Sequence, residues 1–414
     1  MSDLILKNIG CLYGILDSST LLLKGEDMNT VNSISNAWIV IKNGTIEDFG
    51  PMDTFDDRNY SKTVDMQGKV VFPGLIDSHT HLVFPKTREE EFAMKIKGAT
   101  YAEIAAAGGG ILNSAKSLKE ITENDLLEAS QKRLHKLIPF GSVGIEIKSG
   151  YGLDFEGEIK QLRTIQSLKK ISPIPIRSTL LAAHALPTEF KNKREEYLNY
   201  ILEKLIPYAY QENLADYVDV FCEENFFTTV ETERIMLKAK EFGIKSKIHA
   251  NQLANSGGVQ IACKHQAISV DHLENIGIEE IEVLKKSNTL PVALPGCSYY
   301  LNMQYTPARQ IIDHGLPLVI ASDFNPGSAP SGNLLFSWSL ACTKMKLSPQ
   351  EAFNALTINA AAALEWENIL GSITKGKIAS LMVFEANISL EHIPYHFAML
   401  NPCQMIINGK FYPY

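Results

Sequence analysis

Short apolar runs separated by longer amphipathic stretches recur through the middle of the chain. Eight of these runs have the length and composition of buried strands: residues 70–81, 142–148, 175–184, 217–223, 245–249, 267–272, 289–294 and 317–323. Helical periodicity fills most of the intervals, most clearly at 120–137, 191–209 and 229–242. Alternating strands and helices predict an α/β fold with a parallel sheet, and eight repeats favour its closure as a TIM-like (β/α)8 barrel. The pattern alone leaves a doubly wound open sheet as an alternative.

The two ends of the chain have a different pattern, with short β-rich pieces and little helical periodicity. The N-terminal part contains L-I-L-K-N and A-W-I-V-I-K-N-G-T-I, and the C-terminal part contains K-I-A-S-L-M-V-F and C-Q-M-I-I-N-G-K-F. Neither piece has enough strands to bury a sheet face alone. We therefore predict a small composite β-sandwich formed by residues 1–68 and 370–414, beside a barrel formed by residues 69–369 that carries the active site.

Composition narrows the class of protein. The chain has 414 residues, of which 45% are hydrophobic and 21% charged, as in a large globular enzyme. Its net charge of −8 provides no basic field, so we expect neither a nucleic acid nor a membrane as partner. Six widely spaced cysteines without a C-x-x-C pair argue against zinc-ribbon and thioredoxin sites and indicate reduced thiols. With no signal-peptide pattern and no long apolar run, a cytoplasmic location is expected.

Ionisable side chains end seven of the eight predicted strands, and they include five of the ten histidines. In chain order these residues are His79 and His81, Lys148, His184, Glu223 and Glu224, His249, Asp271 and His272, and Asp323. Barrel enzymes build their active sites at this carboxyl face of the sheet. The sequence therefore predicts a single site to which most of the strands contribute.

Four of these residues form a candidate metal site. His79 and His81 are separated by one residue, so on a strand both imidazoles point the same way. With His249 and Asp323 they provide three imidazoles and one carboxylate, which suits zinc or iron(II) with one position open to water. An ion held there would lower the pKa of water toward about 7, which is hydrolytic chemistry. Taken singly, His249 is equally well a buried histidine, and Asp323 a turn carboxylate before Asn-Pro-Gly.

The motifs around these residues resemble the amidohydrolase superfamily, in its mononuclear-metal branch, over nearly the whole chain. They are T-R-E-E-E-F, G-G-G-I, I-K-S-G-Y-G-L, A-A-H-A-L-P, D-V-F-C-E-E, H-A-N-Q, D-H-L-E, L-P-G and S-D-F-N-P-G-S. The resemblance implies one divalent ion, zinc or iron, and a homodimer. It also implies hydrolysis of the ring carbon–nitrogen bond of a small cyclic amide with a propionate tail, 4-imidazolone-5-propanoate, to N-formimidoyl-L-glutamate in histidine degradation.

The resemblance further implies a role for each site residue. Asp323 accepts the proton of the attacking water and His272 helps to stabilise the oxyanion. The implied substrate contacts are Arg88, Tyr101, Tyr151, His184, Gln252, Asn325, Gly327 and Ser328. Among these, the Arg88 guanidinium can hold a carboxylate bidentately. Without the resemblance, the arginine is a solvated helix residue, the tyrosines pack or form a turn, His184 is a buried histidine, and 325–328 is a turn.

Three positions qualify the resemblance. Gln252 stands where some relatives carry a glutamate, and an amide cannot act as a base at neutral pH, so we expect it to bind substrate and leave its part in proton transfer open. Lys148 lies on the second predicted strand, whereas binuclear relatives use a carboxylated lysine as a bridging ligand. We expect one metal ion and a structural or polar-network role for this lysine. Ser380, where aspartate is common, should affect packing only.

Two alternatives remain. Another mononuclear amidohydrolase, such as a cytosine or guanine deaminase, would use the same ligands with a different pocket. Arg88 with Tyr151 argues against it, because an uncharged nucleobase needs no carboxylate clamp. A barrel that has lost activity is the second alternative, and it is disfavoured because none of the four predicted ligands is missing.

Overall fold

The structure is a computed structural model that describes residues 4–56, 62–98, 103 and 109–413. Its strands form two sheets of eight strands each. In chain order they are β1 (Leu4–Ile15), β2 (Asn32–Lys42), β3 (Thr45–Pro51), β4 (Lys62–Asp65), β5 (Val70–Pro73), β6 (Leu75–Asp77), β7 (Ser142–Lys148), β8 (Ile176–Ala183), β9 (Tyr217–Cys222), β10 (Lys245–Ala250), β11 (Ser269–His272), β12 (Leu290–Ala293), β13 (Val319–Ile320), β14 (Leu381–Phe384), β15 (Gln404–Ile407) and β16 (Lys410–Phe411).

The second sheet is a parallel barrel. Strands β6 to β13 pair in sequential order, each parallel to the next. The first and last strands meet just beyond their ends, where Thr80 bridges to Phe324. There the amide of His81 donates to the Phe324 carbonyl at 2.8 Å and that of Asp323 to the His79 carbonyl at 3.1 Å. The predicted (β/α)8 barrel is confirmed, and the open-sheet alternative is wrong.

The α-helices lie mostly between the barrel strands. They are α1 (Glu89–Ile96), α2 (Ile111–Glu120), α3 (Glu123–Leu137), α4 (Phe155–Ile171), α5 (Arg194–Tyr200), α6 (Ile206–Gln211), α7 (Thr229–Glu241), α8 (Gly258–Lys264), α9 (Ile278–Lys285), α10 (Pro295–Leu301), α11 (Ala308–Asp313), α12 (Leu334–Met345), α13 (Pro349–Leu356), α14 (Ile358–Ala362) and α15 (His392–Tyr395). A π-helical turn, Ile201–Leu205, joins α5 to α6. None of the helices in the described ranges combines the length and apolar character needed to cross a bilayer.

The first predicted strand, 70–81, is two strands in two different sheets. Val70–Pro73 pairs with β1 and β14 in the other sheet, and only Leu75–Asp77 joins the barrel. Gly74 separates them and packs so closely on Val143 that a Cβ there would overlap the valine side chain. Both strands are buried, and the interruption of the apolar run at Pro73 and Gly74 marks the change of sheet. The two histidines of the H-x-H motif follow β6 in an extended segment.

The terminal segments build the other sheet together, in the order β16-β15-β14-β5-β1-β2-β3 with β4 also on β1. Its two ends meet, because Ala379 donates to the Gly44 carbonyl and Gly409 donates to the Ala379 carbonyl, both at 2.8 Å. Residues from both termini share its core, among them Leu6, Ile9, Ile39, Val71, Leu381 and Ile406. The predicted composite β unit is therefore one mixed sheet folded over on itself. The predicted boundary between the composite β unit and the barrel follows residue 68, whereas β5 (Val70–Pro73) still pairs within this sheet.

Charged side chains fill part of the barrel interior. Glu146, Lys148 and Lys247 are each 0% exposed. The Glu146 carboxylate lies 2.8 Å from the Lys148 ammonium and 2.7 Å from the Lys247 ammonium, and Thr179 donates a hydrogen bond to it. Lys247 also donates to the Ser78 carbonyl at 2.8 Å. This cluster links strands β7, β8 and β10 to the segment that follows β6, directly beneath the predicted metal site.

Replacing Lys247 with methionine should destabilise the fold strongly. Methionine leaves the buried Glu146 carboxylate with one cation fewer and the Ser78 carbonyl without its donor, a loss of about 3–5 kcal/mol in free energy of unfolding. Chemical denaturation followed by circular dichroism measures it. Lys132→Met removes an exposed pair with Glu128 on α3 and should cost less than about 1 kcal/mol. Equal effects of the two substitutions would contradict the interpretation.

Candidate active site

The four predicted metal ligands converge on one point at the carboxyl end of the barrel. The Asp323 Oδ1 atom lies 3.5 Å from His79 Nε2 and 3.6 Å from His81 Nε2. The Nε2 atoms of His249 and His81 are 3.5 Å apart. All four side chains are at most 3% exposed. The structure therefore brings together side chains separated by up to 244 positions in the sequence.

This arrangement fits a divalent cation. Ligands about 2.1 Å from a tetrahedral ion lie about 3.4 Å from one another, which is close to the separations of these donor atoms. His79 Nε2 is buried and has no hydrogen-bond partner among the described residues. Burial lowers the pKa of both His79 and His81 well below the usual range, with further lowering by neighbouring cationic groups, so both imidazoles are neutral and keep a lone pair for a metal.

Two buried carboxylates fix the orientation of the ligand histidines. His79 donates from Nδ1 to Asp271 Oδ2 at 2.6 Å, and His249 Nδ1 lies 3.0 Å from Asp219 Oδ2. With Nδ1 held from behind, the Nε2 atom of each ring faces the centre of the site. Lys148 lies 2.7 Å from Asp219 Oδ2 and joins this layer to the charges inside the barrel. The predicted polar-network role of Lys148 is confirmed.

Asp323 is held by a tight turn. Its φ is +58°, in the left-handed region that residues other than glycine rarely adopt. Asn325 stabilises the turn, because its amide nitrogen donates to the Asp323 carbonyl at 2.6 Å and its amide oxygen accepts from the amides of Gly327 and Ser328 at 2.8 and 2.7 Å. The Ser328 hydroxyl donates to Asp323 Oδ2 at 3.3 Å. The predicted turn and the predicted site residues are therefore the same segment.

His272 lies beside the ligand set. Its ring centroid is 5.3 Å from that of His249, and its Nδ1 is 3.5 Å from Glu274 Oε1. Burial lowers the pKa of His272, but the carboxylates of Glu274, Asp323 and Asp271 raise it by more, so the net shift is upward. A histidine that favours its protonated form can donate a hydrogen bond to developing negative charge.

A cavity of about 470 Å³ opens above the ligand set. Its walls include every described residue that the sequence assigns to substrate binding: Arg88, Tyr151, His184, Gln252, Asn325, Gly327 and Ser328. The same walls carry His81, His249, His272 and Asp323. Tyr101 lies outside the described residues. The structure thus joins the predicted metal, catalytic and substrate residues at one cavity.

Arg88 stands at the entrance to α1 and provides a cation in the cavity wall. Its guanidinium donates from Nε and Nη2 to the Ser114 hydroxyl at 3.0 and 2.8 Å, and its Cζ lies 5.4 Å from the Tyr151 ring centre. A Cβ at Gly327 would overlap Nη1, so any larger residue there would displace the guanidinium from its present position. Arg88 is not an ordinary solvated helix residue, because its side chain is positioned by three neighbours.

Tyr151 and His184 form the adjoining wall. The His184 ring stacks on His81 with centroids 5.2 Å apart and lies 5.7 Å from the Tyr151 ring. Its Nδ1 is 2.9 Å from the Gly150 carbonyl, which can only accept, so the proton is on Nδ1 and Nε2 is free to accept. Burial, with His249 and Arg88 contributing, lowers the pKa of His184 to about 3.

Gln252 points into the cavity from a loop that Glu223 organises. The carboxylate of Glu223 accepts from the amides of Gln252, Leu253 and Ala254 at 2.7, 3.0 and 3.2 Å. The Gln252 side-chain nitrogen donates to Cys297 Sγ at 3.4 Å. Glu223, which ends a predicted strand, therefore supports this loop.

Sequence reasoning missed several side chains. Asp219 is the single charged residue inside the apolar run Y-V-D-V-F-C, and that interruption is the signal of a buried partner. Glu91 and Lys95 also line the cavity, three and seven residues after Arg88 on the same face of α1. Helical spacing from Arg88 could have identified both.

Comparison with known proteins places the chain in a family. The Amidohydrolase family profile matches residues 70–411. The imidazolonepropionase of Christiangramia forsetii is 46% identical over 407 residues, 98% of this chain and 99% of the relative. That of Flavobacterium johnsoniae is 47% identical over 406 residues, again 98% and 99%. That of Bacillus cereus is 39% identical over 411 residues, 99% of this chain and 96% of the relative.

Solved structures share the architecture at low identity. Triazine hydrolase from Arthobacter aurescens matches with a TM-score of 0.75 at 15% identity, over 99% of this chain and 94% of that one. A 5-methylcytosine deaminase from Klebsiella pneumoniae gives a TM-score of 0.72 at 15% identity, over 97% and 98%. From the barrel, the family profile and the full-length relatives, we conclude that this chain belongs to the amidohydrolase family, in the group of the imidazolonepropionases.

Proposed function

We propose that this chain hydrolyses the ring carbon–nitrogen bond of 4-imidazolone-5-propanoate to give N-formimidoyl-L-glutamate, a step of histidine degradation. The observation that carries this proposal is a three-histidine, one-carboxylate cluster at the floor of a cavity with an arginine in its wall. The floor suits hydrolysis, and the arginine suits a substrate with a carboxylate tail. Full-length similarity to imidazolonepropionases supports the same reaction.

One divalent ion, zinc or iron, would be held by His79, His81, His249 and Asp323. When bound, such an ion lowers the pKa of water toward about 7 and polarises a carbonyl oxygen. Nitrogen and oxygen donors of this kind accept either metal. Lys148 is occupied by Glu146 and Asp219, which supports a site for one ion.

Asp323 is the proposed proton acceptor in the attack of water on the ring carbonyl. Its Oδ1 faces the histidines, while its Oδ2 faces Ser328 on the cavity side. Burial raises the pKa of Asp323 although His272 and His249 lower it, so its carboxylate binds a proton more readily than an exposed aspartate. His272 donates a hydrogen bond to the oxyanion of the tetrahedral intermediate. The carbon–nitrogen bond then breaks, and the proton on Asp323 passes to the ring nitrogen.

The cavity wall holds the substrate. Arg88 pairs with the propionate through guanidinium hydrogens that Ser114 leaves free, and Tyr151 packs beside it. The acceptor Nε2 of His184 is suited to a ring N–H, and Gln252 provides an amide that can donate or accept. Asn325, Gly327 and Ser328 shape the wall and hold Asp323, and Tyr101 stays a predicted contact.

A deaminase acting on a cytosine-like or guanine-like base is the alternative within the family. A 5-methylcytosine deaminase shares the fold, but at 15% identity this likeness concerns architecture alone. The cation Arg88 in the wall favours an anionic substrate. A barrel without activity is disfavoured because all four ligands converge.

Location and assembly stay predictions. The six cysteines, all within the described ranges, form no disulfide, which supports a reducing cytoplasm. A homodimer rests on the family resemblance alone. The net charge of −8 provides no basic field for a nucleic acid or an anionic membrane, so an anionic substrate must be held by a local cation.

Purified protein should consume freshly generated imidazolone propionate, and a chelator should abolish this activity until zinc or iron(II) is restored. The assay follows loss of the ultraviolet absorbance of the substrate. Asp323→Asn should lower kcat by about 100- to 10,000-fold, since the amide cannot take the proton. Release of ammonia from a nucleobase without imidazolone ring opening would support the deaminase, and near-normal turnover by Asp323→Asn would reject the role of that residue.

Replacing Arg88 with methionine should lower kcat/KM for imidazolone propionate by about 10- to 100-fold, since a charged hydrogen-bonded contact is lost. The neutral propionamide analogue should be hydrolysed equally by both proteins. Arg234→Met, which removes an exposed pair with Glu195, is the matched control and should leave both values unchanged. Equal losses on the two substrates would show that Arg88 acts on the fold and not on the propionate.

Replacing Gln252 with glutamate should not increase the rate at any pH in the neutral and mildly alkaline range. The new carboxylate would share a cavity with Asp323, and the two negative charges would raise each other's pKa. Profiles of kcat/KM against pH for both proteins test this, with Gln211→Glu on the exposed surface as control. A large gain in rate would show that the native site lacks a carboxylate it needs.

A further inference from the structure

A second group of buried metal-binding side chains lies beside the first. His272 is the last residue of β11, Glu274 follows that strand, and Cys297 is in the first turn of α10. Their ligand atoms all lie within 4.8 Å of one another. They are 2%, 3% and 0% exposed, respectively. None of them belongs to the four ligands assigned to the first ion.

The hydrogen bonding of this group is incomplete. Glu274 Oε1 accepts from the Ser298 hydroxyl at 3.0 Å, whereas Glu274 Oε2 and His272 Nδ1 have no hydrogen-bond partner among the described residues. Leaving the buried Oε2 of the Glu274 carboxylate without a partner is unfavourable, so this atom favours an additional bound species. His272 Nδ1 and Glu274 Oε1 are 3.5 Å apart, the same separation as His79 Nε2 and Asp323 Oδ1 in the first site.

The chemistry of the donors selects the ion. A thiolate, an imidazole and a carboxylate together are typical of zinc sites, and the sulfur favours thiophilic ions such as Cd²⁺ over Mg²⁺ or Ca²⁺. The cavity gives access, because His272 and Gln252 line it and the Gln252 amide contacts Cys297 Sγ at 3.4 Å. Water from the cavity can complete the coordination.

We propose that His272, Glu274 and Cys297 bind a second, thiophilic divalent ion when such ions are in excess. On binding, the Cys297 thiol releases its proton to solvent and the thiolate sulfur becomes a ligand, and His272 releases the proton on Nδ1 so that this nitrogen can bind the ion. With its Nδ1 bound to the ion, His272 is no longer an imidazolium, so its hydrogen bond to the oxyanion is weaker and excess Zn²⁺ or Cd²⁺ inhibits hydrolysis. Inhibition rests on the proposed function, whereas binding of the ion does not.

Titration of the one-metal protein with CdCl₂ tests binding directly. The ultraviolet sulfur-to-cadmium charge-transfer band is the readout. Because the Cys297 thiol also contacts Asp323 of the first site, metal analysis of the same sample must show that zinc still fills the first site when the band forms. We expect one band-forming ion per chain. Cys297→Ala should abolish the band, and Cys222→Ala, which removes another fully buried thiol, should keep it. Absence of a band in the wild-type protein, or its persistence in Cys297→Ala, would overturn the proposal.

Glu274→Gln provides a second variant that keeps the thiol. It should retain the band but weaken cadmium affinity by at least about tenfold, by the loss of a charged ligand. Circular dichroism verifies the fold of each variant. An unchanged cadmium affinity would remove Glu274 from the site and contradict the proposal.

Inhibition by excess zinc is measured separately with imidazolone propionate. We expect Glu274→Gln to require at least about tenfold more zinc than the wild-type protein for half inhibition. If the protein binds the second cadmium ion but does not hydrolyse this substrate, the proposed function fails and the second site stands. If it hydrolyses the substrate but binds no second ion, the second site fails and the function stands.

Discussion

Two carboxylate–imidazole pairs beneath the barrel mouth decide where the nitrogen atoms of the site point. Asp271 accepts a hydrogen bond from His79 Nδ1 and the Asp219 carboxylate lies 3.0 Å from His249 Nδ1, so each Nε2 faces the common centre. These pairs are themselves neutralised by Lys148, which connects them to the charges inside the barrel. An imidazole without such a partner could rotate by half a turn about χ2, and the convergence of donor atoms would be lost. Metal binding therefore depends on the charged side chains of Asp219, Asp271 and Lys148, which lie beneath the ligands.

The floor and the wall of the cavity have different origins. The floor is built on strand ends and on the extended segment after β6, where backbone hydrogen bonds across the barrel fix each position. The wall is built on loops and on the start of α1, which carry Arg88, Tyr151 and Gln252. Solved neighbours with the same architecture at 15% identity include a triazine hydrolase and a methylcytosine deaminase. Different substrates on one architecture are expected when loops determine substrate binding and strand ends carry the reactive residues.

The strand ends were predictable because each signal is local. An apolar run that ends in a polar residue marks both a buried strand and its exposed carboxyl end, and this identified His79, His249 and Asp323. The pairing of Asp219 with His249 was not predictable, because nothing local tells which distant side chain a buried charge contacts. The change of sheet was also missed, because the interruption at Pro73 and Gly74 does not tell that the strands on its two sides pair with different partners. Contacts that join separate elements are three-dimensional information that periodicity does not carry.

The single residue between β5 and β6 couples the two sheets mechanically. A strand at the centre of the terminal sheet leads, with only Gly74 between, into the strand that places the H-x-H motif. A displacement of the terminal sheet therefore reaches the donor atoms of the H-x-H motif directly, because only one residue separates the two strands. The sheet formed by the two chain ends consequently contributes to the position of the H-x-H motif. Removing the strands at either end would take away a pairing partner of β5 and with it part of the support of the active site.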